Sequence, residues 1–136
     1  MTVVGEAHAA ASFTLLGVDS MDATHREFIE LVSWLAEADK AEFVEGFARL
    51  VAHTQRHFEH ESRLMRACRF SAIGEHENDH SRVLGELAFM QRQVDAGRIF
   101  PVRSYVRQLP DWFNTHLLTM DAALAASLKQ QDQQQG

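Results

Sequence analysis

The sequence predicts an all-α fold, an antiparallel up-down-up-down bundle of four helices that follows a short N-terminal arm. Apolar residues recur every three or four positions along four segments, which is the period of an amphipathic helix. Short connections join the segments, and short connections place consecutive helices antiparallel. The 136 residues suffice for one domain with its own core. We therefore expect a single domain over residues 1–136, with an arm at 1–18 and a bundle at about 19–128.

The first predicted helix carries an apolar stripe that ends near Ala38. Asp19 or Ser20 precedes the stripe and is placed to accept hydrogen bonds from the first free amides of the helix. The stripe consists of His25, Phe28, Leu31, Val32 and Leu35.

The second and third predicted helices each carry an inward stripe that contains polar residues. The second begins after Asp39, which forms the pattern of a capping box with Glu42 three residues later. Residues 70–72 make a tight link to the third helix. Gly97 follows that helix, and a glycine at this position is typical of the end of a helix. The second stripe is Phe43, Phe47, Leu50, Thr54, His57, Glu61, Leu64 and Cys68, and the third is Ile73, His76, His80, Val83, Leu87, Met90 and Val94.

The fourth predicted helix is opened by Pro101, where a missing amide costs little. Pro110 predicts a kink or restart, because inside a helix it removes a hydrogen bond and collides with the carbonyl of Val106, at a cost of about 3 kcal/mol. The Gln-rich tail 129–136 lacks apolar residues to pack and is predicted to be disordered. The fourth stripe is Val102, Tyr105, Leu109, Trp112, Phe113, His116, Leu117, Met120 and Leu124.

Charge and cysteine content exclude several function classes. The net charge of −6 and the absence of a run of Lys or Arg argue against a nucleic-acid or anionic-membrane surface. No segment approaches the roughly 20 apolar residues of a membrane span, and the N-terminus lacks the features of a secretory signal. Cys68 is the sole cysteine, so no intrachain disulfide can form. We expect a cytoplasmic protein, and the sequence indicates no protein partner.

Seven residues with metal-binding side chains fall where four antiparallel helices would bring them together. Two pairs in this set are four residues apart and therefore lie on one face of their helix. Measured from the turns at about 1.5 Å of rise per residue, all seven positions fall within one slab of the bundle. The seven are His25, His57, Glu61, His76, His80, His116 and Asp121.

Five imidazoles and two carboxylates suit iron, zinc, manganese or copper better than calcium or magnesium. One ion cannot use seven such ligands, whereas carboxylates can bridge two ions and each imidazole binds one. Two bridging carboxylates then leave one metal with three histidines and the other with two histidines and an open coordination position. Glu61 and Asp121 would also offset the charge of the buried ions. A buried two-iron site is the leading hypothesis.

At these residues the sequence resembles the hemerythrin family, most closely its single-domain bacterial members, the bacteriohemerythrins. The resemblance extends from Leu16 to Leu128. The matching blocks are Asp-x-x-His ending at His25, HFEHESRLM, the spaced pair of His76 with His80, and DWFNTHLLTMD. The resemblance implies a four-helix bundle with a non-haem di-iron centre that binds dioxygen reversibly, for storage, delivery or sensing.

The resemblance also implies roles for individual residues. The cofactor would be two iron ions, Fe2+ or Fe3+, joined by an oxo or hydroxo bridge. His76, His80 and His116 would complete one iron, His25 and His57 would bind the iron with the open position, and Glu61 and Asp121 would bridge the pair. Trp112, Phe113 and Leu117 would form an apolar wall around the open position. Phe113 stands where the family commonly has a leucine.

Other interpretations remain open. A di-iron redox enzyme that acts on peroxide or nitric oxide would use the same centre. The sequence from His76 to His80 also matches H-E-x-x-H, in which Glu77 would activate water in a zinc hydrolase, although this short pattern often occurs by chance. Reversible binding rather than catalysis is expected here. For His8, His53 and His60 we expect no metal-binding role, and for Cys68 a place in the core.

Overall fold

The computed structural model describes residues 13–135, except for the side chains of residues 133–135. Residues 1–12 of the predicted arm, with His8, lie outside the described residues. Four helical stretches follow one another, and residues 13–135 contain no strand, which confirms the predicted all-α bundle. They are α1 (Asp19–Glu37), α2 (Lys40–Ala67), α3 (Ile73–Asp95) and a fourth stretch made of α4 (Ile99–His116), a π-helical segment (Leu117–Asp121) and α5 (Ala122–Gln135).

The four stretches pack as a closed ring around one core. α1 lies against α2 and α4, and α3 lies against the same two helices. The predicted stripes supply the core, because Phe43, Phe47, Leu50, Val102 and Leu124 are fully buried. Between residues 13 and 135, none of the helices is both long enough and apolar enough to cross a membrane.

The predicted cap of α2 and the predicted stop of α3 are both confirmed. The Asp39 carboxylate accepts a hydrogen bond from the Glu42 amide at 2.8 Å, and the Glu42 carboxylate accepts one from the Asp39 amide at 3.2 Å. After α3, Gly97 takes a φ of +83°, which a residue without a side chain adopts easily. Its amide donates to the Val94 carbonyl at 2.9 Å. Both contacts satisfy backbone groups that a helix end leaves free.

The predicted cap of α1 is wrong. Asp19 lies inside the helix, and Val18 precedes it without a side-chain hydrogen bond. The carboxylate of Asp22 instead reaches back, accepting from the Leu16 amide at 2.8 Å and from the Gly17 amide at 3.0 Å. These bonds tie the segment before α1 to its first turn, so the acidic residue stabilises the preceding loop rather than the helix end.

Of the kink or restart predicted at Pro110, the restart is wrong. α4 continues through Pro110 to His116, and the departure from α-helical geometry begins only at Leu117. Proline deletes a single backbone hydrogen bond, while the neighbouring Val106 and Leu109 are buried in the core. The packing of this helix therefore outweighs the local cost.

The predicted disorder of the tail is wrong for residues 129–135. α5 runs to Gln135, and only Gly136 of the tail lies outside the described residues. Lys and Gln are good helix formers even without an apolar stripe. The amide of Gln131 also donates to the Cys68 carbonyl at 3.3 Å, which anchors the tail against the end of α2.

Two mid-helical glycines differ in their surroundings. A Cβ atom at Gly46 in α2 would lie 2.5 Å from the Trp34 ring and 2.7 Å from a Leu35 methyl group on α1. A Cβ atom at Gly85 in α3 would meet nothing within 4 Å. Gly46 therefore marks a close approach of α1 and α2, whereas Gly85 has no such packing role.

Candidate metal centre

All seven residues predicted as metal ligands converge in the interior of the bundle. None of the seven residues is more than 5% exposed. Ligand atoms of five of them lie within 4.8 Å of one another, and those of the other two form an equally tight group with Glu61. The first group is Glu61, His76, His80, His116 and Asp121, and the second is His25, His57 and Glu61.

The carboxylate of Glu61 stands between two groups of histidines. Its Oε2 atom lies 2.9 Å from Nε2 of His57 and 3.3 Å from Nε2 of His25. Its Oε1 atom lies 3.2 Å from Nε2 of His76 and 3.3 Å from Nε2 of His80. Each oxygen therefore faces one group.

Asp121 divides its two oxygens in the same way. Its Oδ2 atom lies 3.2 Å from Nε2 of His25, and its Oδ1 atom lies 3.0 Å from Nε2 of His76 and 3.1 Å from Nε2 of His116. Neither oxygen has a hydrogen-bond partner among the described residues, although both are buried. An unpartnered buried carboxylate is costly, so this side chain fits a site built for a cation.

The donor set fits two transition-metal ions. Imidazole nitrogen and carboxylate oxygen are suitable ligands for iron, zinc and related ions, and all five histidines direct Nε2 inward. On the three-histidine side, Nε2 of His80 lies only 3.2 Å from Nε2 of His116. The residues thus form a two-histidine side, His25 and His57, and a three-histidine side, His76, His80 and His116. Each of the two carboxylates faces both sides.

The π-helical segment places Asp121 in this cluster. His116 and Asp121 are five residues apart, which in a regular α-helix would turn their side chains about 140° away from each other. The amide of Ala122 bonds instead to the Leu117 carbonyl, five residues back. This wider turn returns Asp121 to the face of His116. Sequence analysis did not foresee the segment, although the five-residue spacing of two inward residues signalled it.

Electrostatics at the cluster favour positive charge. Burial acts to lower the pKa of His25, but the close, negatively charged carboxylates of Asp121 and Glu61 outweigh it and raise the pKa to about 9. The same opposing effects raise the pKa of His76 to about 9. For His80, burial prevails over the attraction of Glu61, and its pKa is lowered.

The two carboxylates remain ionised despite their burial. Burial acts to raise the pKa of Glu61, but the positive charge of His57 and hydrogen bonds from neighbouring histidines hold it well below the ordinary value. For Asp121, burial and the charge of Glu61 act to raise the pKa, while the close imidazoles of His116, His25 and His76 hold it low. Two buried negative charges thus stand ready to balance bound cations.

Aromatic side chains enclose the cluster. The centroid of Phe113 lies 5.3 Å from that of His25, and Phe113 also packs against Phe28 at 5.1 Å. Leu117 is fully buried. Phe58, which sequence analysis did not single out, stacks on His80 at 3.7 Å. Its position next to His57 in the sequence gave no signal, since that position falls outside the predicted stripe.

Trp112, the third predicted pocket residue, lies on the three-histidine side. Its ring stacks on His116 with centroids 5.0 Å apart. Its Nε1 atom donates a hydrogen bond to Asp79 at 3.2 Å, and the same carboxylate lies 2.7 Å from Nδ1 of His116. Burial acts to raise the pKa of Asp79, but hydrogen bonds from Arg82 and His116 lower it. Sequence analysis missed Asp79, because its role depends on two side chains of another helix.

The remaining candidates lie apart from the cluster. His53 pairs with Glu27 at 3.2 Å, and Cys68 is buried in the core as expected. Glu77 accepts a hydrogen bond from Ser62 at 2.8 Å and is not among the residues whose ligand atoms converge. The hydrolase interpretation needs Glu77 beside a metal-bound water, and this placement does not support it.

Comparisons with known proteins agree with this geometry. The family model described as the hemerythrin HHE cation binding domain matches residues 16–128. A bacteriohemerythrin of Ralstonia nicotianae (strain ATCC BAA-1114 / GMI1000) is 34% identical over 115 residues, which cover 85% of this chain and 84% of that protein.

Solved structures show the same fold. Two crystal structures of hemerythrin, in which one leucine is replaced by alanine or by tyrosine, superpose with a TM-score of 0.77. Each is 23% identical to this chain, and the match covers 88% of this chain and 93% of the other.

Proposed function

The chain belongs to the hemerythrin family, and we propose that it binds dioxygen reversibly at a non-haem di-iron centre. One observation carries the proposal: each of two buried carboxylates directs one oxygen at the two-histidine side and the other at the three-histidine side. A carboxylate so placed can bridge two cations. Seven donors divided in this way fit two ions better than one.

The residues divide unevenly between the two ions. The side with three histidines has five protein donors, and the side with two has four, so the open position belongs to the second side. An oxo or hydroxo bridge would complete the pair. The iron on the first side would be held by His76, His80 and His116, the other by His25 and His57, and both by Glu61 and Asp121.

The protein's contribution is to balance charge and exclude water. When bound, two ferrous ions supply the two electrons that dioxygen takes up. Glu61 and Asp121 offset part of the positive charge of the centre, which lowers the free-energy cost of burying it. Phe113 packs against His25 on the two-histidine side, and Leu117 is fully buried. An apolar, dry pocket slows irreversible oxidation. These features favour a binding protein over an enzyme.

The wider assignments are part of the same proposal. Residues 1–136 form one domain, and the family match covers its central 16–128. The net charge of −6 and the single buried cysteine fit a cytoplasmic protein that binds neither nucleic acid nor an anionic membrane. The bound oxygen would serve storage, delivery or sensing.

Iron quantitation with an optical spectrum of the oxygen-exposed protein tests the proposal. We expect two irons per chain and an oxygen-dependent band that disappears on deoxygenation. His116→Ala should remove that band, whereas His60→Ala, which changes a histidine outside the cluster, should retain it. A spectrum that His116→Ala leaves unchanged would refute the ligand assignment.

Repeated cycling separates reversible binding from redox catalysis. The reduced protein is mixed with oxygen in a stopped-flow instrument and then deoxygenated, several times over. A carrier regains its reduced spectrum in each cycle. Conversion to the diferric form within every cycle would instead favour an enzyme that reduces peroxide or nitric oxide.

A further inference from the structure

One of the five clustered histidines is held differently from the others. Nδ1 of His116 lies 2.7 Å from Oδ2 of Asp79. In His25, His57, His76 and His80 the Nδ1 atom is buried and has no hydrogen-bond partner among the described residues. The two sides of the centre therefore differ in how their ligands are supported as well as in their number.

Asp79 is itself fixed in place. Arg82 donates to its Oδ1 atom at 2.9 Å, and Trp112 donates to its Oδ2 atom at 3.2 Å. The Trp112 ring also stacks on His116 at 5.0 Å, so one tryptophan constrains both members of the pair. The Asp79 side chain is 17% exposed. Three donors therefore determine where this carboxylate stands.

The contact has a definite chemical meaning for His116. A carboxylate accepts a hydrogen bond but cannot donate one when ionised, so the ring proton must lie on Nδ1. Nε2 then carries the free lone pair, and Nε2 is the atom that lies 3.1 Å from Asp121 inside the cluster. A charged acceptor on the far side of an imidazole also makes that ring a stronger donor to a metal.

We propose that Asp79 is a positioning residue that fixes the His116 tautomer and strengthens His116 as a ligand on the three-histidine side. The inference rests on the proposed two-metal centre. Metal on this side should bind more tightly, and its ferric state should be favoured over its ferrous state. Asp79 thus makes the two metals unequal in potential, which directs the first oxidation to the three-histidine side.

The test compares three single variants. Asp79→Asn keeps the shape but removes the charge, Asp79→Glu keeps the charge on a longer side chain, and Glu77→Gln is the matched control. Glu77 is a carboxylate on the same helix that bonds to Ser62 rather than to a histidine ring. Each metal-free protein is titrated with Co2+ alone. Changes to partners of this kind typically cost 10–100-fold in metal affinity.

Asp79→Asn should lower the affinity of one of the two cobalt sites about 10–100-fold and leave the other unchanged. The cobalt affinity of Asp79→Glu should lie between those of Asp79→Asn and the wild type, and that of Glu77→Gln should match the wild type. In the iron protein, Asp79→Asn should raise the reduction potential of one iron. Cobalt affinities and a reduction potential in Asp79→Asn that match those of the wild type would overturn the proposal.

A spectroscopic measurement reads the tautomer directly. In the Zn2+-loaded protein with 15N-labelled histidine, the His116 ring should show a proton on Nδ1 in a strong hydrogen bond, identified by its loss in His116→Gln. The signal should shift in Asp79→Asn. If that variant fails to fold, Arg82→Gln, at a side chain 51% exposed, tests the same contact with a smaller shift. An unmoved signal in the folded variant contradicts the inference.

Failure of the inference can be told apart from failure of the proposed function. If the wild type does not take up two metals or does not bind oxygen, the di-iron proposal is wrong. If the wild type does both and Asp79→Asn matches it in cobalt affinity, potential and ring spectrum, only the role of Asp79 is wrong.

Discussion

Glu61→Gln should reduce iron binding from two ions per chain to at most one. Glutamine has nearly the shape of glutamate, so the core around this residue, which is 1% exposed, should persist. The two carboxylate oxygens face different histidine groups, with separations of 2.9–3.3 Å. The amide keeps one oxygen and replaces the other with an NH2 group, which has no lone pair to offer a metal. One side of the centre therefore loses a ligand.

The size of the effect follows from charge. A unit charge and a divalent ion 4 Å apart interact by about 8 kcal/mol at an effective dielectric constant of about 20. If one third of this survives relaxation of the site, affinity falls by nearly 3 kcal/mol, or roughly a hundredfold. The weaker site should then be empty at iron concentrations that fill the wild type.

Anaerobic titration with Fe2+, followed by desalting and iron quantitation, measures this change. Glu77→Gln provides the control, because it removes an equivalent charge that contacts Ser62 outside the cluster. Circular dichroism of the metal-free variant checks that the helices are intact. Two tightly held irons in a folded Glu61→Gln protein would refute the bridging geometry.

Three further predictions concern stability. The metal-free protein should lose about 5 kcal/mol of unfolding free energy between pH 6.5 and pH 9, because the pKa values of His25 and His76 are each raised from 6.5 to about 9. Their contribution is complete below pH 6.5 and is lost as the pH rises through 9. Urea unfolding in the presence of a chelator measures it, and stability that is flat or rises over this range would contradict it. Gly46→Ala should destabilise the protein by about 1 kcal/mol through overpacking, whereas Gly85→Ala should stabilise it by about 0.5–1 kcal/mol. Thermal melts of both variants measure the two effects, and stability changes of the same sign would be inconsistent with the contacts. Phe113→Ala should lower the free energy of unfolding by about 3–5 kcal/mol and accelerate autoxidation by opening the two-histidine side. An unchanged autoxidation rate would show that Phe113 does not line the pocket.

The periodicity of the sequence predicted the helices and the convergence of the seven residues, because a stripe of three-and-four spacing specifies which side of a helix faces inward. His57 and His76 follow this rule, and the structure places both in the cluster. Helix ends were predicted well where a local motif determines them, as at Asp39 and Gly97.

Features that depend on contacts between helices could not be predicted. The position of Asp79 beside His116 needs the relative rotation of α3 and α4, which no single stripe contains. The helical tail depends in part on the contact of Gln131 with the end of α2. The helix does not restart at Pro110, since the surrounding core outweighs one lost hydrogen bond.

The widened turn at Leu117–Asp121 absorbs one residue between two ligands of the cluster. If the segment closed into a regular α-helix at its present length, Asp121 would turn about 140° away from His116. Deleting Thr119 would instead leave the two residues four apart, about 40° around a regular α-helix and still on one face. A chain shortened by that residue should therefore keep both ligands in the cluster, whereas a further inserted residue should separate them.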